Sequence, residues 1–288
     1  MIGAPTSAPA REGAPALGDT VAMVDSASEW LTLRLGMPAG ADGWIALTEI
    51  DPDFMRAWEA LAAEYQRAEY GRTDPVTAAA YALSWYAGVP GEVGGACLQT
   101  ARRVPRLQPE SLAVHRHPTE HHVDGVALLD ERFWCLPDDP AAGDPAATVV
   151  TDEAALAAVL RAEVRTHADR FLAWYRPGAR LPRRGLLGAF VDGLDCGVWT
   201  GGGYRGEEPA SVLATAATVL PGRTPQFTEA STMYLLTDDR GREHLTRQRV
   251  ACCFYYRLDE AREACFTCPR TDLAQRRRRA ATWDDGEH

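Results

Sequence analysis

The sequence predicts an α+β protein, with a mainly helical body around a small antiparallel sheet and a C-terminal hairpin that leads into a cysteine-rich module. Apolar residues spaced three to four positions apart predict the helices. Short β-prone runs between residues 93 and 151 predict the sheet. Four of the seven cysteines fall between residues 252 and 268. A chain of 288 residues is long enough to bury a sizeable core without disulfides.

Capping residues predict the first two helices. Asp51 can cap a helix that Gly71 ends, because an aspartate at the N-cap accepts a backbone amide and a glycine follows the last turn. Asp74 repeats the same signal for a second helix. We expect this second helix to end before Gly88 and Pro90, since both residues disfavour a helix interior. The first third of the chain is therefore expected to be mainly helical.

The remaining elements follow from the same signals. Three β-prone runs predict strands over residues 111–117, 123–129 and 132–136. Helical patterns cover residues 153–175, 186–198 and 209–220, and Thr151 or Asp152 can cap the first of them. Residues 232–237 and 243–251 flank a polar turn and predict a hairpin. Its second strand is expected to run directly into Cys252.

Both ends of the chain are predicted to be tails. Residues 1–20 are rich in alanine, proline and glycine and have little to bury, so we expect a disordered tail there. Residues 271–288 carry a run of arginines followed by acidic residues and are expected to be a solvated, charged tail. No convincing linker interrupts residues 50–250.

Composition excludes several classes of function. A formal charge of −10 argues against binding to nucleic acid, which needs clustered cations. All thirty basic residues are arginine, and the absence of lysine excludes Schiff-base chemistry and a Walker lysine. No apolar run approaches the roughly 18 residues of an integral membrane segment, and no signal peptide is evident. We therefore expect a cytoplasmic protein.

The cysteine cluster is the most informative motif. Cys252 and Cys253 are adjacent, and eleven residues separate them from Cys265, which forms a Cys-x-x-Cys pair with Cys268. In a reducing compartment such a cluster indicates a metal before a disulfide framework. Successive side chains of an extended backbone point to opposite faces, so adjacent cysteines do not easily chelate one ion tetrahedrally. Four thiolates at more separated positions suit a two-iron, two-sulfide centre.

Charge near the motif supports the same interpretation. Three acidic residues lie in this part of the chain, but arginines outnumber them. The arginines are Arg247, Arg249, Arg257, Arg262 and Arg270. A [2Fe-2S] centre with four thiolates carries a charge of about −2, so nearby cations help its reduction. Arginines that merely solvate a loop remain the alternative explanation for this excess.

The motif resembles the C-terminal iron-sulfur motif of the FhuF-like siderophore ferric reductase family, in which an Arg-x-x-Cys-Cys segment precedes Cys-x-x-Cys-Pro. The resemblance implies that Cys252, Cys253, Cys265 and Cys268 ligate a [2Fe-2S] cluster. Between the disordered tail predicted at 1–20 and the charged tail predicted at 271–288, it implies an α+β body at 21–245 and a cluster-binding module at 246–270. The spacer of eleven residues is one longer than the family leads us to expect.

The resemblance further implies a ferric-siderophore reductase. One electron from the cluster would reduce an Fe(III)-siderophore, of hydroxamate type, and Fe(II) would be released in the cytoplasm. An external electron donor, a ferredoxin or a reductase, would be needed because the chain lacks a Gly-x-Gly-x-x-Gly dinucleotide fingerprint after a strand. The alternative is a non-redox siderophore-binding or structural protein in which the four cysteines hold zinc.

Other candidate residues carry weaker signals. His115, His117, His121 and His122 form the only histidine cluster, which either belongs to a surface loop or lines a ligand groove. Three further cysteines are expected to be small buried hydrophobes: Cys97, Cys135 and Cys196. His167 is more plausibly structural than the base of a nucleophilic pair with Cys196.

Overall fold

The computed structural model describes residues 16–28, 31–40, 42–203, 206–258 and 263–282. It has an α+β fold dominated by helices. Within the described residues the helices are α1 (Ala16–Ala27), α2 (Pro52–Tyr70), α3 (Pro75–Ala101), α4 (Glu153–Trp174), α5 (Arg183–Gly203), α6 (Pro209–Val219) and α7 (Leu273–Ala280). Each of these helices is too short or too polar to serve as a membrane span.

The strands of the described residues form three small sheets. They are β1 (Thr32–Leu35), β2 (Trp44–Ala46), β3 (Val104–Pro105), β4 (Leu112–Arg116), β5 (Val123–Leu128), β6 (Phe133–Cys135), β7 (Ala147–Val149), β8 (Met233–Thr237) and β9 (Glu243–Arg247). The largest sheet has the order β1-β5-β4-β2, and β1 joins β5 in parallel, so this sheet is mixed rather than purely antiparallel. A second sheet has the order β3-β6-β7, and β8 pairs with β9 in the predicted hairpin.

The predicted caps are confirmed. The Asp51 side chain accepts a hydrogen bond from the amide of Phe54, and Gly71 ends α2 in the left-handed conformation. Asp74 accepts from the amide of Thr77 at the start of α3. Asp152 caps α4 in the same way. These local signals set the beginning of three helices because each aspartate satisfies an amide that has no partner inside the helix.

The predicted end of the second helix is wrong. Helix α3 continues through Gly88 and Pro90 to Ala101, and most of its residues are buried. Pro90 has no amide hydrogen for the helix ladder, yet the packing around the helix outweighs that loss. Gly91 and Gly95 instead lie on the face of α3 that meets α5.

The crossing of α3 and α5 forms the centre of the core. A Cβ atom at Gly91 would lie 2.5 Å from the carbonyl carbon of Gly193, and one at Gly197 would lie 2.5 Å from the carbonyl oxygen of Gly91. Real Cβ atoms essentially never approach backbone so closely. The two helices are therefore in backbone contact, which only glycine allows at these positions.

Three predicted boundaries need correction. Residues 16–20 belong to α1, where Leu17 is buried against the core, whereas residues 1–15 lie outside the described residues. The predicted C-terminal tail contains α7, whose Arg276 is buried and donates to the carbonyl oxygen of Cys268 at 2.9 Å. Residues 283–288 lie outside the description. Strand β9 ends at Arg247, five residues before Cys252, so the strand does not reach the cysteines.

We expect Gly197→Ala to destabilise the protein. The new methyl group would meet the backbone of α3, and overpacking of this kind costs about 1–3 kcal/mol or more. The matched control is Gly203→Ala in the same helix, where the added Cβ would lie 3.7 Å from Trp199, an ordinary contact. Urea unfolding followed by circular dichroism should show a lower free energy of unfolding for Gly197→Ala alone. Equal stabilities for the two variants would contradict the close crossing.

Candidate metal centre

The fold brings the two cysteine segments together. Beyond β9, the amide of Arg249 donates to the carbonyl oxygen of Thr267 at 2.8 Å, which joins the first segment to the second. The second segment is a tight turn, closed by a hydrogen bond of 3.0 Å from the amide of Cys268 to the carbonyl oxygen of Cys265. Hydrogen bonds within and between the two segments therefore fix the backbone that carries the cysteine side chains.

The four sulfur atoms form two pairs. The Sγ atoms of Cys252 and Cys268 lie 3.7 Å apart. Two thiolates that share one tetrahedral metal ion need a separation of about 3.8 Å for metal–sulfur bonds of about 2.3 Å. Cys253 and Cys265 lie within reach of a thiol hydrogen bond. A single nitrogen, Nη2 of Arg249, contacts both of their sulfurs, at 2.9 and 3.0 Å.

The pairs are adjacent but do not merge into one tetrahedron. Cys265 is also within hydrogen-bond reach of Cys268, which joins the two pairs. All four sulfurs belong to described residues, and no three of them lie within 4.8 Å of one another. A single zinc ion would require every pair of sulfurs to be about 3.8 Å apart. The observed spacing suits two metal ions, each bound by one pair of thiolates.

Backbone amides surround the sulfurs. Three of them each donate a hydrogen bond to a different cysteine: Phe254 to Cys252 at 3.3 Å, Tyr255 to Cys253, and Arg270 to Cys268. Hydrogen bonds to sulfur stabilise thiolate charge and help to set the reduction potential of an iron-sulfur centre. The donor set, four thiols with amide donors around them, therefore fits an anionic cluster.

The site also shifts the ionisation of its own groups. Burial opposes the charge of Arg249, but the neighbouring Cys253 and Cys265 outweigh burial and raise the pKa of the guanidinium above its ordinary value. Arg249 therefore stays a cation beside the sulfurs. A hydrogen bond with Cys268 lowers the pKa of Cys252 to about 7. The hydrogen bond with Cys265, together with burial, raises the pKa of Cys253.

Asp192 anchors the cysteine segment to the core. This buried residue of α5 accepts hydrogen bonds from the amide of Val250 at 2.6 Å and from the amide of Ala251 at 2.9 Å. The guanidinium of Arg247 donates to its backbone carbonyl oxygen. Burial raises the pKa of Asp192 to about 6, although Arg247 and the two amides oppose the shift. The residues immediately before Cys252 are thus fixed to the helix that crosses α3.

A cavity of about 550 Å³ opens beside the thiols. Cys252, Cys253 and Arg249 line one part of it. Most of the remaining wall is apolar and comes from α3, β5, α5 and the segment that leads into α5: Leu83, Val89, Val126, Ala189 and Leu181. Glu92 also lines the cavity, and burial raises the pKa of its carboxyl group. The volume lies within the range of about 300–1,000 Å³ that is typical of small-molecule sites.

The four residues of the histidine cluster separate into three groups. His115 is bound to Asp124, with its Nδ1 2.6 Å from the carboxylate. His121 contributes its backbone oxygen to a hydrogen bond from Trp58 at 2.7 Å. His117 and His122 lie together, with parallel rings whose centroids are 5.1 Å apart.

The expectations are confirmed for Cys97, Cys135 and His167. Cys97 and Cys135 are fully buried, whereas the residue Cys196 is only partly buried, although burial of its thiol raises the pKa to about 12. Both ring nitrogens of His167 are engaged, one with the carbonyl oxygen of Leu107 at 2.6 Å and one with the hydroxyl of Tyr86 at 3.0 Å. His167 is therefore a structural core residue.

Sequence reasoning missed Asp192, Glu92 and the cavity. It named Arg249 only as one of several nearby cations, and Arg262, another of them, lies outside the described residues. Asp192 lies 60 positions before Cys252, and no local pattern connects the two residues.

No family model, curated protein or solved structure matches the chain, so the function must be argued from the site.

We expect Asp192→Asn to release the segment before Cys252. The variant loses charged hydrogen bonds to two amides, and each such bond contributes about 1.5–3 kcal/mol. Hydrogen exchange of the Val250 and Ala251 amides, measured by mass spectrometry, should accelerate about tenfold or more, since 1.4 kcal/mol corresponds to a factor of ten. The control is Asp195→Asn, which removes a partner of the Thr232 amide instead. Unchanged exchange at Val250 and Ala251 would refute the anchoring role.

Proposed function

We propose that the protein is a ferric-siderophore reductase. Cys252, Cys253, Cys265 and Cys268 hold a [2Fe-2S] cluster, and one electron passes from it to an Fe(III)-siderophore of hydroxamate type. Fe(II) is then released in the cytoplasm. The proposal rests on the sulfur geometry, on the neighbouring cavity and on the resemblance of the cysteine motif to the FhuF-like reductases.

One observation carries the proposal. Two of the four cysteines, Cys252 and Cys253, line the cavity whose other walls are mainly apolar. A ligand in this cavity would lie directly against the thiolates that hold the cluster. Such an arrangement favours electron transfer to a bound small molecule, whereas a purely structural site has no need of an adjoining cavity.

The cysteine pairs fit the cluster, which would supply a one-electron couple at potentials set by charge, hydrogen bonds and exposure. The chain's own residues adjust those properties. Arg249 places a positive charge against Cys253 and Cys265. Positive charge at the sulfurs favours the more negative, reduced state. Asp192 keeps Cys252 in place through the two amides before it.

The reaction needs no cleavage of the siderophore. Hydroxamate oxygens are hard ligands that hold Fe(III) strongly and Fe(II) less well, so a single electron weakens the complex. The chelator leaves intact and the iron leaves as Fe(II). The cavity walls, formed by side chains such as Leu83 and Val126, would cover the organic part of the chelate and exclude water around it.

The electron must come from another protein. An external ferredoxin or reductase would recharge the cluster after each turnover, because the sequence carries no dinucleotide fingerprint. A structural zinc ion, the alternative to the cluster, would require a different arrangement of the four sulfurs. One zinc ion requires four mutually close sulfurs, whereas those of the described structure separate into two pairs.

We expect the anaerobically purified protein to be red-brown, to bleach with dithionite and to give a paramagnetic resonance signal only when reduced. Reduced protein, titrated with ferrioxamine, ferrichrome and ferric citrate, should be reoxidised with one Fe(II) formed per cluster. Cys265→Ser should lose the colour and the reduction together. Cys97→Ser, which changes a buried cysteine in α3, should retain both.

Two results would overturn the proposal. The first is a colourless protein with one zinc per chain after anaerobic, iron-replete expression. The second is a reduced cluster that none of the ferric chelates reoxidises. Loss of colour in Cys97→Ser but not in Cys265→Ser would show that the ligands are assigned to the wrong cysteines.

We expect Arg249→Gln to lower the reduction potential of the cluster. Removal of the positive charge that contacts two sulfurs disfavours the reduced state, and a tenfold change in a one-electron equilibrium corresponds to about 60 mV. A shift of that size or more should appear in a redox titration. The control is Arg257→Gln, because the guanidinium of Arg257 pairs with Asp74 at 3.2 Å instead. Equal potentials in Arg249→Gln and the unchanged protein would rule out this tuning.

A further inference from the structure

The loop between β4 and β5 carries a second set of metal-binding groups. His117, Glu120 and His122 each place a nitrogen or carboxylate oxygen within 4.8 Å of those of the other two. Nδ1 of His122 lies 3.4 Å from a carboxylate oxygen of Glu120. The rings of His117 and His122 are stacked, at 8° and with centroids 5.1 Å apart, so one ring would rotate for both to direct a nitrogen at the same ion.

The loop that presents these groups is held in shape. The amide of His117 donates to the carbonyl oxygen of His122 at 2.8 Å, and the amide of His121 donates back to the carbonyl oxygen of His117 at 3.0 Å. His121 takes a left-handed conformation with φ of 65°. Trp58 of α2 donates to the carbonyl oxygen of His121 at 2.7 Å. The loop is thus fixed to the core, and little ordering is left for a ligand to impose.

Nδ1 of His117 is a hydrogen-bond acceptor that a metal ion could use as a ligand, and it also lies 3.3 Å from the hydroxyl oxygen of Thr119. The amide of Glu120 donates to Nδ1 of His117 at 3.1 Å. An amide only donates, so Nδ1 of His117 is the unprotonated nitrogen of the ring. A metal ion would replace this hydrogen bond. Glu120 is exposed, with a side-chain exposure of 53%, and can turn towards the ion without losing a buried partner.

We propose that His117, Glu120 and His122 form a binding site for a divalent first-row transition metal ion. Two imidazoles and one carboxylate, with open positions for water, form a donor set that suits Fe(II), Co(II) or Zn(II) and not Mg²⁺ or Ca²⁺, which prefer oxygen ligands. The carboxylate also neutralises part of the charge of the cation.

The position of the site gives it a role, which rests on the proposed function. His122 lines the same cavity as Cys252 and Cys253. Fe(II) that leaves a reduced siderophore there would meet an imidazole at the cavity wall. The three residues would take the ferrous ion from the cavity, because hydroxamate oxygens hold Fe(II) less strongly than Fe(III) and imidazole nitrogens suit Fe(II).

Titration of the purified full-length protein with Co(II), under anaerobic conditions, tests the site alone. We expect one additional Co(II) ion per chain, with visible d–d absorption, and at least a tenfold weaker affinity in His117→Ala and in His122→Ala. The control is His121→Asn, which removes an imidazole from the same loop and tolerates the left-handed backbone. Absence of Co(II) binding, or an equal loss of affinity in His121→Asn, would overturn the site.

A second arm tests the role. After one turnover with a ferric chelate, rapid desalting should leave Fe(II) on the unchanged protein and remove it from His117→Ala. Failure of the cluster to be reoxidised would refute the proposed reductase, while the Co(II) titration would still decide whether the metal site exists. Reoxidation with no retained Fe(II), in a protein that binds Co(II), would refute the role in accepting iron.

Discussion

The backbone contact between α3 and α5 is the constraint on which the rest of the structure depends. Glycine at positions 91, 193 and 197 lets the two helices approach until their backbones are in direct contact. Asp192, next to Gly193, is thereby fixed in the core and holds the amides before Cys252. The same crossing sets the distance between the α3 and α5 walls of the cavity. A few glycines therefore position both the thiols and the space beside them.

Electrostatics explains why charged groups gather at this point of the core. Thiolates, and any cluster they hold, carry negative charge, and a charge removed from water must be compensated by nearby groups. Arg249 supplies a full positive charge at two sulfurs, and backbone amides supply partial charges at the others. Asp192 in turn interacts with Arg247 and Arg249. The polar groups form a connected set, so the loss of one member affects the others.

Local signals in the sequence predicted much of the fold, and long-range contacts account for the errors. The caps at Asp51, Asp74 and Asp152 act within one turn, so a sequence window contains them entirely. Helix α3 continues through Gly88 and Pro90 because it packs against α5, about a hundred residues later in the chain. A stretch of sequence as short as one helical turn contains no sign of that contact. The cysteine quartet was recognisable from its spacing. The cavity was not, since its walls come from five separate parts of the chain.

The adjacent cysteines connect the sequence pattern to the geometry of the site. Alternation along an extended backbone predicts that neighbouring side chains diverge. In the structure Cys252 pairs with Cys268, whereas Cys253 pairs with Cys265. Neither adjacent thiol shares a partner with the other, so the vicinal pair divides its two sulfurs between two positions. A second Cys-x-x-Cys turn in place of the vicinal pair would bring its two sulfurs to one ion and favour zinc. The vicinal arrangement instead divides the four thiols between two neighbouring pairs, and it places both Cys252 and Cys253 in the wall of the cavity.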